Sequence, residues 1–330
     1  VSAVLLVRAL RDPASVAGLS GAAWNGLVAA ARAERLIGTL AYRLEGIEVP
    51  DAVRPILADA RLEAEREARQ ALWEADRARV ALAHLDVPVV LLKGTAYVAA
   101  GLAAARGRFI GDLDILMPRD ALDAVEAALL AAGWEWVKPD PYDDAYYRQW
   151  MHELPPLIHR ERDRMIDVHH TILPLTARQT PDAGALIADS VELPDGLRVL
   201  SPEDRIVHAA AHMLADGDLA GGLRNLWDIH CLLGELPDAA ALDRRAALHG
   251  LRAHVAQAVR LARHVYGDGA PLPVADRLIV ARLLARNEWG QETRKAVRFG
   301  FYLRSHWLRM PPAMLMRHLF TKWRRGHRPV

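Results

Sequence analysis

The chain has 330 residues, 52% of them hydrophobic, with 42 basic side chains against 41 acidic ones. That balance excludes a strongly charged or disordered chain, and the length suffices for one large domain or two with a substantial core. A single cysteine, Cys231, excludes an internal disulfide framework and any multi-cysteine zinc site; it fits a reducing, cytoplasmic setting with the thiol as core filler.

In chain order, the opening run Val1-Ser-Ala-Val-Leu-Leu-Val-Arg8 is shorter than the apolar region of a signal peptide, and Arg11 follows closely. Nowhere does an uncharged apolar stretch reach the ~18 residues that a spanning helix needs, so no membrane span is expected. Residues 2–46 predict short helices broken near Pro13 and Gly38. Residues 51–84, without glycine and with Pro55 near the start, predict one long helix rich in Ala, Arg and Glu. These elements make an N-terminal helical region over 1–84.

A different pattern occupies 85–175. Val87-Pro-Val-Val-Leu-Leu-Lys93 is a run of apolar, largely β-branched residues that predicts a buried strand, stopping at Lys93-Gly94-Thr95 before a helix over 96–105. A strand, a glycine turn and a helix N-terminus favour an anion, because the first backbone N–H groups of a helix lack internal partners. Gly94 would let backbone approach a phosphate, Thr95 would donate its hydroxyl, and Lys93 would add a point charge. Of the 42 basic residues only Lys93, Lys138, Lys295 and Lys322 are lysines, which singles Lys93 out. The alternative is that Lys93 only snorkels from a strand end.

Residues 108–118 then read Arg-Phe-Ile-Gly-Asp-Leu-Asp-Ile-Leu-Met-Pro. Residues i and i+2 of a strand share a face about 6.5–7 Å apart, so Asp112 and Asp114 converge on one spot. Two carboxylates in so apolar a run need compensation, and a hard divalent cation, Mg²⁺ or Mn²⁺, supplies it. A bare D-x-D also fits a turn cap at Asp112 and an exposed edge at Asp114. Arg106 and Arg108, just upstream, suit either triphosphate neutralisation or a solvated turn.

A helix near 119–132 ending at Gly133, and loops at Pro139-Asp-Pro141 and Pro155-Pro156, lead to another short strand, Met165-Ile-Asp167-Val-His169-His170. An adjacent strand, reached in hairpin-like order, would place Asp167 beside the first two acids. Three such carboxylates can hold two metal ions roughly 3.5–4 Å apart. His169 shares a face with Asp167 and would touch a phosphate or orient that carboxylate, while His170 faces away.

Taken together, Leu-Leu-Lys-Gly-Thr-Ala over 91–96, Arg-x-x-Gly-Asp-Leu-Asp-Ile-Leu-Met over 108–117, Ala-Ala-Gly-Trp over 131–134 and Ile-Asp-Val-His-His over 166–170 resemble the DNA polymerase β type nucleotidyltransferase superfamily. The chain is similar in particular to a poorly characterised bacterial nucleotidyltransferase-like family. It also resembles lincosamide nucleotidyltransferases and nucleotidyltransferase-type toxins of abortive-infection systems. The resemblance covers roughly 85–175. It implies an ATP-binding, Mg²⁺-dependent enzyme in which Gly94 and Thr95 form the phosphate turn and Asp112 and Asp114 the metal pair. Asp167 is then the third acid, serving as metal ligand or as general base for an acceptor hydroxyl. Lys-Gly-Thr replaces the Gly-Ser pair general in the superfamily.

From Ser201-Pro202-Glu203-Asp204, a capped helix start with proline at N1, the pattern is helical almost to the end, giving a C-terminal helical region over 176–330. His208 and His212 share a helix face without the Glu of an H-E-x-x-H motif, so packing or lining of the cleft is favoured over zinc. Arg224 and Asp228 have the spacing of an intrahelical ion pair. Residues 291–330 carry ten Lys or Arg against one acid, Glu292, interleaved with Phe299, Phe301, Tyr302, Trp307, Phe320 and Trp323. That surface would suit RNA, an acidic peptide or an anionic surface; a solvated amphipathic helix with a frayed tail is the favoured alternative.

The fold expected is α+β: a small mixed sheet embedded in helices front and back. The function expected is transfer of a nucleoside monophosphate from a triphosphate to an acceptor hydroxyl. The alternative is a non-catalytic partner that keeps the fold to bind nucleotide, peptide or RNA.

Overall fold

The structure, a computed structural model, describes residues 2–216, 219–269, 271–309 and 316. Alanine-rich, proline-poor stretches give α1 (Ser2–Arg11), α2 (Gly21–Ala33), α3 (Ile37–Arg43) and the long α4 (Arg54–Leu82), with Pro55 in its first turn. The break between α2 and α3 falls at Arg35, which has φ +53°, and not at Gly38. Gly38 lies inside α3 because a Cβ there would stand 2.5 Å from the carbonyl oxygen of Gly107. Here glycine serves close backbone approach instead of helix breaking.

The central segment alternates strands with helices: β1 (Val90–Leu91), α5 (Lys93–Ala99), β2 (Asp112–Leu116), α6 (Leu122–Ala131), β3 (Trp134–Trp136), α7 (Pro141–Trp150), β4 (Leu157–His159) and β5 (Met165–His169). The Pro139–Pro141 stretch expected as a loop instead starts α7, because the Asp140 carboxylate caps it by accepting from the N–H groups of Tyr142 and Asp143. After α8 (Ala183–Ala188), the short strands β6 (Val191–Glu192) and β7 (Arg198–Val199) extend the sheet beyond the expected core. The described strands form one mixed seven-stranded sheet in the order β3-β4-β5-β2-β1-β7-β6.

Two pairings position the chemistry. β2 runs antiparallel to β1, pairing Leu91 with Ile115. β2 and β5 are neighbours as expected, but parallel instead of in hairpin order, because the chain crosses through α6, β3, α7 and β4 before returning.

The helical remainder comprises α9 (Pro202–Ala210), a π-helical turn (Ala211–Asp216), α10 (Gly222–Gly234), α11 (Ala239–Leu248), α12 (Arg252–Tyr266), α13 (Val274–Leu283) and α14 (Lys295–Arg309). Ser201 caps α9 by accepting from the Asp204 N–H at 3.2 Å. One continuous apolar core runs from Ala3 to Leu283. Cys231 is part-buried against it, and burial raises its thiol pKa to about 12.

Buried ions are costly unless paired, and several of the pairs here bridge distant elements. Arg162, in the β4–β5 turn, grips the Glu74 carboxylate on α4 at 2.9 and 3.0 Å and lies over the rings of Trp73 and Trp134. Arg108 pairs with Asp228 on α10, and Arg224 on the same helix donates to the Arg35 carbonyl and the Thr39 hydroxyl, both at 2.7 Å. The α10 helix is thereby tied to both the sheet segment and the N-terminal helices.

No described helix is long and apolar enough to cross a membrane. Of the basic stretch 291–330, only residues 291–309 and 316 are described; Phe320, Trp323 and the other residues of the tail lie outside them. Within α14, Phe299 and Trp307 are exposed, and Arg304 donates to the Leu214 carbonyl at the π-helical turn.

Candidate active site

Asp112 and Asp114 alternate with Leu113 and Ile115, whose apolar side chains fill the opposite face of β2. The parallel register sets Asp114 opposite Asp167, so the three carboxylates lie together. One oxygen from each comes within 4.8 Å of the others. Asp112 is exposed at the strand start, Asp167 is part-buried, and Asp114 is buried.

The electrostatics separate these acids. Burial alone would raise the pKa of Asp114, but Lys93 and a His169 hydrogen bond outweigh it and hold the carboxyl well below its usual range. Asp167 has no such partner of comparable effect. Burial, reinforced by Asp114, Glu153 and Asp112, pushes it up to about 7. Negative charge thus accumulates where a divalent cation would relieve it. An all-oxygen donor set of three converging carboxylates fits Mg²⁺ or Mn²⁺.

The structure brings Lys93 and His169 to this point. Lys93 Nζ lies 2.6 Å from Asp114 Oδ1, and His169 Nε2 lies 3.0 Å from the same oxygen. The hydrogen bond of His169 therefore goes to Asp114, one strand away, and not to Asp167. Burial would depress the Lys93 pKa, but Asp114 and Asp112 more than reverse it, leaving a firmly charged ammonium. Lys93 opens α5 with φ +48°, a left-handed conformation that costs a non-glycine residue about 1 kcal/mol or more.

The other phosphate-turn residues are placed differently from one another. Thr95 is buried, and its hydroxyl has no hydrogen-bond partner among the described residues. Gly94 is required by its own protein neighbours: a Cβ would stand 2.7 Å from Arg108 Nε and 3.2 Å from Ile110. Arg108 is part-buried, pairs with Asp228 and lies over Tyr97, at the junction with α10.

Histidines line the same region. His208 on α9 is buried; burial, then Lys93, His212 and His169, hold it well below the usual histidine range. His212 follows in the π-helical turn, a deformation frequent at functional sites. His170 faces away, near Arg119, and burial lowers it to about 4. The spacing of Arg224 and Asp228 yields an ion pair at 3.4 Å.

Sequence reasoning missed two residues beside the acids, His152 and Glu153. The 152–154 segment zips antiparallel onto the end of β5: Glu153 bridges His169, Leu154 N–H donates to the Val168 carbonyl, and His170 N–H donates to the His152 carbonyl. Adjacent His and Glu between the helix end and Pro155 were the only signal in the sequence.

A mixed sheet presenting D-x-D, with a third aspartate in register on the next strand, is the kind of site nucleotidyl transfer uses. A family model described as uncharacterised nucleotidyltransferase matches residues 20–267, and the chain belongs to that family. The matched span includes α4, the sheet, all three aspartates and the helices through α12. Membership supports a general role in nucleotidyl transfer. No curated protein matches the chain.

Proposed function

We propose that the chain is a Mg²⁺-dependent nucleotidyltransferase, active also with Mn²⁺, that transfers AMP from ATP to an acceptor hydroxyl and releases pyrophosphate. The observation that carries this reading is the convergence of Asp112, Asp114 and Asp167 within 4.8 Å on paired strands of a nucleotidyltransferase-family sheet.

Asp112, Asp114 and Asp167 would hold the metal. When bound, it neutralises charge on the transferring phosphoryl group and anchors the triphosphate. Thr95, with its unpartnered hydroxyl, and the first N–H groups of α5 contribute donors for the phosphates. Lys93 and His169 fix Asp114 in place through Oδ1 and leave Oδ2 for ligation.

Asp167, beside the other two acids, would complete the site and help take the proton of the acceptor hydroxyl. The acceptor oxygen forms the new bond to the α-phosphorus as the bond from that phosphorus to the bridging oxygen breaks, and pyrophosphate leaves. Positioning and charge account for most of the rate. The acceptor is a hydroxyl on a small molecule, peptide, protein or RNA, and the setting is cytoplasmic.

The test is transfer of label from α-labelled ATP into bacterial extract by wild type and by Asp114→Asn. Loss of labelling in a variant that keeps its native circular dichroism supports the assignment. Wild-type labelling by the variant overturns it.

One observation favours a second reading. Lys93 already neutralises Asp114 as a metal ion would, so a non-catalytic nucleotide-, peptide- or RNA-binding partner could keep this fold without metal. Such a protein would bind its ligand equally well with and without Mg²⁺.

A further inference from the structure

His169 makes two contacts that do not match a simple hydrogen-bonded histidine. Its Nε2 lies 3.0 Å from Asp114 Oδ1, where an N–H donates naturally to a carboxylate. Its Nδ1 is buried, faces Glu153 Oε2 at 3.4 Å, and makes no hydrogen bond among the described residues. Nδ1 therefore faces a carboxylate oxygen across a gap that either a second proton on the ring or a metal ion would bridge.

His152 completes the arrangement. Its Nε2 lies 3.8 Å from the same Glu153 oxygen, and its ring stands 5.1 Å from that of His169. One donor atom from each of His152, Glu153 and His169 falls within 4.8 Å of the others. Four-coordinate ligands at ~2.1 Å from zinc lie roughly 3.4 Å from one another, so the three donors need little movement to close on one ion. The backbone bridge between Glu153 and His169 holds two of them in register.

We propose that His152, Glu153 and His169 form a binding site for a zinc-like divalent transition-metal ion, distinct from the three-aspartate site and coupled to it through Asp114. Two imidazoles and one carboxylate select a late first-row ion over Mg²⁺, which prefers six oxygens. Three protein ligands leave a fourth position for water or an acceptor oxygen. The Asp114–His169 pair supplies the outer support such sites have: a ligating histidine donates its other N–H to a carboxylate. His169 thus fixes Asp114 on one side and the ion on the other.

The experiment uses the tag-free full chain, stripped of metal and titrated with Co²⁺ in a large excess of Mg²⁺, which keeps the oxygen-only site occupied. One Co²⁺ per chain is expected to give the intense visible absorption of a four-coordinate ion, and Zn²⁺ displaces it. Glu153→Gln and His152→Ala each weaken binding at least about tenfold, while Asp112→Asn leaves it unchanged. Glu153→Gln preserves shape and carries the test even if His152→Ala fails to fold. Absence of the four-coordinate spectrum, its persistence in Glu153→Gln, or its loss in Asp112→Asn overturns the proposal. None of these readouts depends on nucleotidyl transfer, so failure here leaves that reading standing, and the converse holds too.

Discussion

Lys93 Nζ and Asp114 Oδ1 form a 2.6 Å ion pair in which the carboxylate is buried and the ammonium only partly so. Lys93 opens α5 just beyond β1, so the pair pins the expected phosphate turn to the central acid of the site. Without Lys93, His169 is the remaining described side chain within hydrogen-bond distance of Asp114, at 3.0 Å.

Lys93→Met is accordingly expected to destabilise the metal-free protein by about 3 kcal/mol, because a buried carboxylate loses its partner. Saturating Mg²⁺ should recover part of that loss, since metal and ammonium neutralise the same group. Thermal melts of wild type and variant with and without Mg²⁺ measure both effects. Equal loss in both conditions would show that Asp114 does not ligate.

Asp167 gives the metal-free protein an unusual pH dependence. Its folded pKa is raised from 3.8 to about 7, so between those values the native state binds more protons than the unfolded one. Stability contributed by this group therefore falls as pH rises from about 4 to about 7. Urea melts across that range should show this slope, and Asp167→Asn should remove it. Because protons and metal compete for the same oxygens, apparent Mg²⁺ affinity should fall as pH drops below about 7.

At the backbone crossing of α3 and the 106–108 loop, Gly107 has φ +70° and a Cβ there would fall 2.2 Å from the Gly38 carbonyl carbon. Gly107→Ala should cost about 2–3 kcal/mol, and Gly38→Ala a similar amount, by overpacking and, at Gly107, backbone strain. Denaturant midpoints at unchanged slope are the measurement.

Truncating Glu74 to Ala should destabilise by about 3 kcal/mol, since the part-buried Arg162 would lose its carboxylate partner. Replacing both residues with apolar ones of similar size should cost less than either single truncation. A double-mutant cycle on chemical denaturation decides this.

The sequence signalled those features whose physics is local. Apolar flanks marked β1, β2 and β5; the absence of breakers marked α4; Ser201-Pro202 marked α9. D-x-D on a strand placed two acids on one face without any tertiary knowledge. What stayed hidden depended on long-range partners. The parallel pairing of β2 with β5 requires knowing the crossover, and β6 and β7 hold only two residues each, too few for alternation. Arg108 looked free for phosphate because its partner, Asp228, lies 120 residues away. Asp140-Pro141 carried the same capping signal as Ser201-Pro202 but sat beside Pro139, so its loop character weighed more than its cap. His152 and Glu153 became visible only once β5 supplied the strand they zip onto.

The most direct test is a thermal-shift titration with ATP, GTP, CTP and UTP, each with and without Mg²⁺, comparing wild type with the Asp112→Ala/Asp114→Ala double variant. Binding to the native state raises the midpoint by mass action. A Mg²⁺-dependent rise with ATP that disappears in the variant is the predicted result. A rise indifferent to Mg²⁺, or retained in the variant, would contradict a metal-dependent nucleotidyltransferase built on these acids.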